Sequence, residues 1–377
     1  MTKVYQNQNA IRNISSILNS EKTNSILLVR GNESYQSCGA EEFIESQLEG
    51  YNITHLFGFH KSPSIEDISR AIGVIKENNI DFIIGVGGGT VMDVAKAASI
   101  LHQEKGSLDE YITGKIKLKG DNIKRLLIPT TAGTGAEITP FSVVYIGKTK
   151  YSLVHENMVP DYVILAPELT YGLNPLITAQ TGADALAQAI EGFWSVNATE
   201  ESKEHSREAI SLVLNNLNQA VNNPNPRNRK AMLIGSHLAG KSIAIAKTTA
   251  AHALSYPLTA YHNIPHGHAA MLTLPYFFPL NENATKDNIQ ESLTLDYVKN
   301  TFRDLLKILG VNNGEEARDK LLYLMDNIHL KRKLSELGIQ EGDLQNIIDN
   351  GFNPGRVKNN PIQLTVDMEW NILKTIL

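Results

Sequence analysis

Two hydrophobic rhythms divide the chain. Up to about residue 169, short apolar runs alternate with stretches whose apolar residues recur at helical spacing. SILLVRG (25–31), GYNITHLFGF (50–59), DFIIGVGGG (81–89) and RLLIPTTAGTG (125–135) read as strands, most of them running into glycine. IEDISRAIGVIKENN (65–79) and VMDVAKAASIL (91–101) read as helices between them. Strands alternating with helices predict a parallel sheet covered on both faces. Beyond Leu169 the strand-like runs stop. LITAQTGADALAQAIEGFW, EHSREAISLVLNNLNQAV, NRKAMLIGSHLAGKSIAIA, LTLDYVKNTFRDLLKIL, EEARDKLLYLMDNI and TVDMEWNILKTIL are all helical patterns. NNPNPRN (222–228) is a loop between two of them. The expected organisation is an α/β domain over 1–169 and an all-helical domain over 170–377.

Composition narrows the field. A net charge of −5 argues against nucleic acid as a partner, because binding a phosphate backbone needs a basic face. No apolar run approaches the length that spans a bilayer, and MTKVYQNQNAIRNIS lacks the pattern of a signal peptide. The single cysteine, Cys38, excludes an internal disulfide and a thiolate zinc cage, and reads as a half-buried filler. A reducing, cytoplasmic setting is expected.

The glycine turns carry the first candidate chemistry. Gly87, Gly88 and Gly89 stand between a strand and a helix, where backbone N–H groups and the helix N-terminus can meet an anion. Thr90 is the expected N-cap, with Asp93 as its capping partner. PTTAGTGAE (129–137) is a second glycine- and threonine-rich loop after a strand. Both would lie at the carboxyl edge of one sheet, where nucleotides bind in open α/β folds. The spacing is not GxGxxG.

HALSYPLTAYHNIPHGHAAM (252–271) holds four histidines. His252 and His266 are the candidate metal ligands, with Pro257 and Pro265 letting the chain leave a helix and fold back. A histidine pair needs a carboxylate to complete a catalytic zinc or iron site, and Asp184 stands in an otherwise apolar helical stretch. The competing reading of Asp184 is a helix-start cap after Gly182. His262 and His268 are expected to line the site or pack beside it.

The ordered set GVGGGTVMDVAKA, PTTAGTGAEIT, GADALAQAIE, HALSYPLTAYHNIPHG and RVKNNPIQLT resembles the iron-containing (group III) metal-dependent alcohol dehydrogenases. The resemblance runs from residue 85 to 365. It implies a Rossmann-like dinucleotide-binding domain followed by an all-α domain, the dehydroquinate synthase-like fold, with the metal in the cleft between them. It places Gly87, Gly88, Gly89, Thr90 and Asp93 at the pyrophosphate turn and Thr130, Thr131 and Thr134 beside the nicotinamide. Asp184, His252 and His266 fall on metal positions.

Two residues leave the family pattern. Where its D-A-L-x-H-A-x-E helix has a second histidine, this chain has Gln188, four residues after Asp184 and facing the same way. A glutamine carbonyl is a neutral, weaker ligand than imidazole, so Fe2+ and Zn2+ both stay open. Tyr256 replaces a histidine that serves proton transfer in many members, so that role passes to Tyr256, His262 or solvent, or is lost.

Within the family, KTTAAHALSYPLT and EGFWSVNAT are most similar to the phosphonoacetaldehyde reductases. That implies reduction of a small anionic aldehyde to 2-hydroxyethylphosphonate by NAD(P)H. Lys247, Lys150 and Arg356 are the candidate cations, Lys150 also counting among the cofactor contacts. SILLVRGNESY ends its strand at Gly31 rather than an aspartate, so NADPH is expected to be accepted. The other readings are a reductase for a different small aldehyde, alcohol or diol, a non-redox lyase of the dehydroquinate synthase type, and a metal-free binding protein. A homodimer is the expected assembly.

Overall fold

Strands β2 (Ser25–Arg30), β4 (Phe82–Gly87) and β5 (Lys124–Pro129) are apolar along most of their length and buried on both faces, as central strands of a parallel sheet are. The computed structural model describes every residue except Met1, Gln8, Asp121 and Asn353 and the side chain of Pro354. In it β1 (Lys3–Tyr5), β3 (Asn52–Leu56) and β8 (Tyr162–Ile164) complete an all-parallel sheet of order β3-β2-β4-β5-β8-β1. Alternate residues of each strand feed opposite cores. Leu27, Val29, Ile83 and Leu127 pack against helices α4 (Ile65–Glu77), α5 (Gly89–Leu101) and α6 (Leu108–Ile112). Ile26, Leu28, Ile84 and Leu126 pack on the other face against α1 (Asn13–Glu21), α2 (Glu33–Ser37) and α3 (Ala40–Glu45).

β6 (Phe141–Ile146) and β7 (Thr149–Val154) form an antiparallel hairpin turned at Gly147, φ 60°. The sequence reading has no strand there, nor at β1, because both regions lack a long apolar run.

The chain divides into two units, Met1–Leu173 and Asn174–Leu377. The division falls a few residues beyond the one read from the sequence. Asn174 accepts a hydrogen bond from Leu176 N at 2.8 Å, and Pro175 opens the helix, so capping chemistry starts the second unit. That unit contains α7 (Pro175–Trp194), α8 (Glu200–Asn222), α9 (Pro226–Ala246), α10 (Ala250–His262) and α11 (His266–Glu282). It continues with α12 (Leu295–Leu309), α13 (Gly314–Asn327), α14 (Leu344–Gly351), α15 (Pro354–Val357) and α16 (Val366–Thr375).

α7 is the axis of this unit, buried from Gly182 to Trp194 beneath α8, α9 and α11. Trp194 closes it, edge-on to Phe278 at 5.0 Å and stacked on Phe302 at 5.6 Å. None of the described helices is long and apolar enough to cross a membrane.

Candidate functional site

In the first unit, β4 runs through Gly87 and Gly88 directly into α5. A Cβ on Gly87 would meet Val91 Cγ2 at 2.6 Å, so the turn closes only on glycine. The second glycine loop lies alongside. Thr130 N donates to Gly87 O at 2.9 Å, and Thr131 and Thr134 stand against the positions a Cβ would take on Gly88 and Gly89. The two loops therefore meet at the carboxyl ends of neighbouring strands, with Gly88, Gly89 and Thr90 partly exposed.

The capping expectation is corrected. Gly88 is the N-cap, and Thr90 Oγ1 donates instead to Lys61 O at 3.0 Å. Asp93 caps nothing. It is buried and paired with Lys96 at 3.2 Å, and Lys96 also donates to Thr139 Oγ1 at 3.0 Å. Burial pushes the Asp93 carboxyl up and the Lys96 ammonium down, each opposed by the other's charge. Lys150 on β7 lies close enough to add to the pull on Asp93. At the end of β2, Gly31 N donates to Val86 O at 3.2 Å. The Arg30 guanidinium beside it lies 4.1 Å from the Phe57 ring and 4.9 Å from the Tyr35 ring.

In the second unit, Asp184 is not a helix-start cap. It sits in the interior of α7 and shares one face with Gln188 and Glu191, all three buried. α10 presents His252 to that face. Its Nε2 lies 3.3 Å from Asp184 Oδ1, and its Nδ1 is hydrogen-bonded to Glu191 Oε2. Glu191 also accepts from Thr249 Oγ1 at 2.6 Å and Ala251 N at 2.9 Å. Pro257 does not end α10, as expected from the sequence, but lies inside it. The turn is made by Asn263 in the left-handed region, φ 56°. Pro265 then starts α11, whose first residue is His266. His266 Nδ1 is 3.1 Å from Ser255 Oγ, and its ring lies 5.4 Å from that of His252.

Gly267 sets this approach. A Cβ there would run into the Gln180 carbonyl and lie 2.5 Å from Asp184 Cβ and 2.8 Å from its backbone nitrogen. Only glycine lets α11 start this close to α7.

One ligand atom from each of Asp184, His252 and His266 falls within 4.8 Å of the others, the spacing of a shared cation. Burial by itself would raise the Asp184 carboxyl, but the His252 hydrogen bond, the nearby His266 and His252 rings and the Gln188 amide hold it below its ordinary range. Burial likewise opposes charge on His252, yet Glu191 and Asp184 outweigh it and push its pKa up to about 10. The pocket is thus built for positive charge. Gln188 Oε1 is buried without a hydrogen-bond partner, an acceptor that a cation would satisfy. A carboxylate, an amide oxygen and two imidazoles, one backed by a carboxylate, suit a divalent transition metal.

The other candidates separate. Tyr256 stacks on His266 at 5.9 Å and 15°. His268 is buried beside the cluster's helix start and directed to Lys331 O, 2.7 Å from its Nε2. His262 ends α10, half-buried. Arg356 is half-buried on α15, a short turn packed against α10. Lys247 is exposed at the end of α9, with φ 62° and ψ 167°. For a residue with a side chain that conformation costs about 1–3 kcal/mol. Glu191, Thr249, Ser255 and Gly267 escaped the sequence reading. The one signal among them was Glu191, an acid seven residues after Asp184 in an apolar helix.

The fold is an α/β unit with two glycine loops at its sheet edge, joined to a helical unit with a candidate metal-ligand cluster. The family model "Iron-containing alcohol dehydrogenase" matches residues 1–167 and "Fe-containing alcohol dehydrogenase family, C-terminal" matches 178–377. The chain belongs to the iron-containing alcohol dehydrogenase family, an NAD(P)-linked, metal-dependent group of oxidoreductases.

The long-chain-alcohol dehydrogenase 1 of Geobacillus thermodenitrificans is 37% identical over 82% of this chain and 78% of its own. The phosphonoacetaldehyde reductase of Streptomyces viridochromogenes is 33% identical over 70% and 68%. The crystal structure of sulfoacetaldehyde reductase from Bifidobacterium kashiwanohense in complex with NAD+ superposes with a TM-score of 0.89. It is 29% identical, covering all of this chain and 96% of that one. Similarity is thus spread over several activities.

Proposed function

We propose that the protein reduces a small anionic aldehyde to its alcohol, phosphonoacetaldehyde to 2-hydroxyethylphosphonate being the first candidate. The observation that carries the reading is the Asp184–Gln188–His252–His266 cluster, buried except for the half-buried His266, with the unpartnered amide oxygen of Gln188. When bound, a divalent ion there supplies Lewis acidity to a carbonyl oxygen, and a reduced nicotinamide supplies the hydride. The chain's own groups prepare the site. Glu191 accepts from His252 Nδ1 and so keeps Nε2 turned toward Asp184. Ser255 does the same for His266 through Nδ1. Tyr256, stacked on His266, is the candidate donor of the proton to the product oxygen. The two glycine loops, with Gly87, Gly88, Gly89, Thr130, Thr131 and Thr134, take the dinucleotide, and Lys150 lies near that turn through Asp93.

NADPH is the proposed reductant. No carboxylate ends β2 at Gly31, and the neighbouring Arg30 offers a cation suited to a 2′-phosphate. Lys247, Lys150 and Arg356 are the candidate partners of the substrate anion. The protein is proposed to act as a homodimer in a reducing, cytoplasmic setting. The similarity to a phosphonoacetaldehyde reductase and a sulfoacetaldehyde reductase supports the substrate class.

A second reading, reduction of a neutral alcohol or aldehyde, is favoured by the long-chain-alcohol relative. The deciding experiment is an aldehyde panel on the metal-reconstituted protein, following NADPH and NADH oxidation. Faster turnover of phosphono- or sulfoacetaldehyde than of neutral aldehydes supports the proposal. Turnover of neutral aldehydes alone supports the second reading.

A further inference from the structure

We infer that Lys247 is the residue that selects substrate by charge; the inference rests on the anionic-aldehyde reading above. Its backbone, at φ 62° and ψ 167°, lies in a region that glycine enters freely and other residues avoid. A glycine would fill this position without strain, and the chain carries a lysine instead.

The conformation is clamped on both sides. Ser195 Oγ donates to the carbonyl of Ala246 at 2.6 Å, and Asn359 Nδ2 donates to the carbonyl of Thr248 at 3.0 Å. Both clamps are buried. Asn359 is itself fixed, its Oδ1 accepting from Asn197 at 3.0 Å and its carbonyl accepting from Val196 N at 2.9 Å. The segment after α7, the end of α9 and the loop after α15 thus converge on one residue.

The same framework continues into the metal-ligand cluster. Thr249 accepts from Trp194 Nε1 at 3.0 Å and donates to Glu191, which is hydrogen-bonded to His252. Lys247 therefore stands two residues before Thr249, which joins the hydrogen bonds that set the histidine, while its side chain is exposed. No carboxylate pairs with it among the described residues.

An ordinary surface lysine needs no special backbone. One kept in a costly conformation five residues before His252, with no carboxylate paired to it among the described residues, is explained by an anion that arrives with the substrate. An ammonium is a point charge without the fork of arginine, and suits the far end of a phosphonate, sulfonate or carboxylate aldehyde.

The test compares wild type with Lys247→Gly, Lys247→Met and Lys247→Arg, each as metal-loaded full-length protein. Phosphonoacetaldehyde and sulfoacetaldehyde are set against propanal, and thermal unfolding is followed in parallel. We expect Gly and Met to lower the anionic-to-neutral ratio of kcat/KM by about 10- to 100-fold, chiefly through KM, the loss of a charge-assisted contact. Arg should keep most of the ratio. Only Gly should raise Tm, because only it relieves the backbone. Equal losses on both kinds of aldehyde, or a Gly variant no more stable than the Met variant, would overturn the inference. A wild type that reduces propanal with no preference for the anions sinks the charge selection and leaves the reductase reading standing. A wild type that reduces no aldehyde sinks both.

Discussion

At the scale of the residue, Glu191 shows how a buried acid governs chemistry it does not perform. It collects hydrogen bonds from Thr249, Ala251 and His252. Its effect is to fix which histidine nitrogen carries the hydrogen. Glu191→Gln is expected to weaken metal binding by about 10- to 100-fold, measured by competition with a chelating dye. Unaltered affinity would mean that Glu191 serves packing alone. Gln188 offers the converse. Gln188→His restores imidazole to the fourth position and should tighten zinc binding, with the buried orphan acceptor removed. Asp184 and the histidine pair were candidates from residue type in the sequence, whereas Gln188 was marked only as a departure from the pattern of the family that the chain resembles. Glu191 was only half legible: its position on the face could be counted, its partners could not.

Elements decide how closely those residues meet. Gly267 lets α11 begin against the backbone of α7, so Gly267→Ala must push the helix away and carry His266 with it. We expect a loss of stability of about 1–3 kcal/mol and weaker metal binding, read by denaturant unfolding with and without zinc. α16 carries a different device. Glu369 is fully buried with neither carboxylate oxygen hydrogen-bonded, and burial pushes its pKa up to about 8. The folded state therefore holds this proton more tightly than the unfolded chain, where the group titrates near 4.5. Its contribution to stability is complete below about pH 4.5 and is lost as the pH rises through about 8. Glu369→Gln should flatten the fall in unfolding free energy between pH 5 and pH 9, a difference on the order of a few kcal/mol. An unchanged slope would place the pH dependence elsewhere. Strand and helix types were readable wherever apolar period was strong, as in β2, β4 and α5. β6 and β7 were missed because alternating, half-exposed strands leave no long apolar run.

For the whole molecule, metal and fold are coupled by mass action. An ion that binds only the assembled cluster stabilises the helical unit, since Asp184, His252 and His266 come together only when α7, α10 and α11 are packed. Removing it with a chelator should lower Tm, and zinc or iron(II) should restore it. Equal Tm with and without metal would argue that the cluster binds none.

The sequence by itself determined the alternation of strands and helices, the two glycine turns and the ligand types, because these depend on local period and residue chemistry. Tertiary structure alone decided the rest. Thr90 and Asp93 lost their capping roles to Gly88 and to a buried pair with Lys96, and His268 was turned to Lys331. Lys247 acquired a glycine-like backbone through clamps from Ser195 and Asn359. Each of these outcomes depends on contacts between segments far apart in the chain, and no local pattern of residues encodes them.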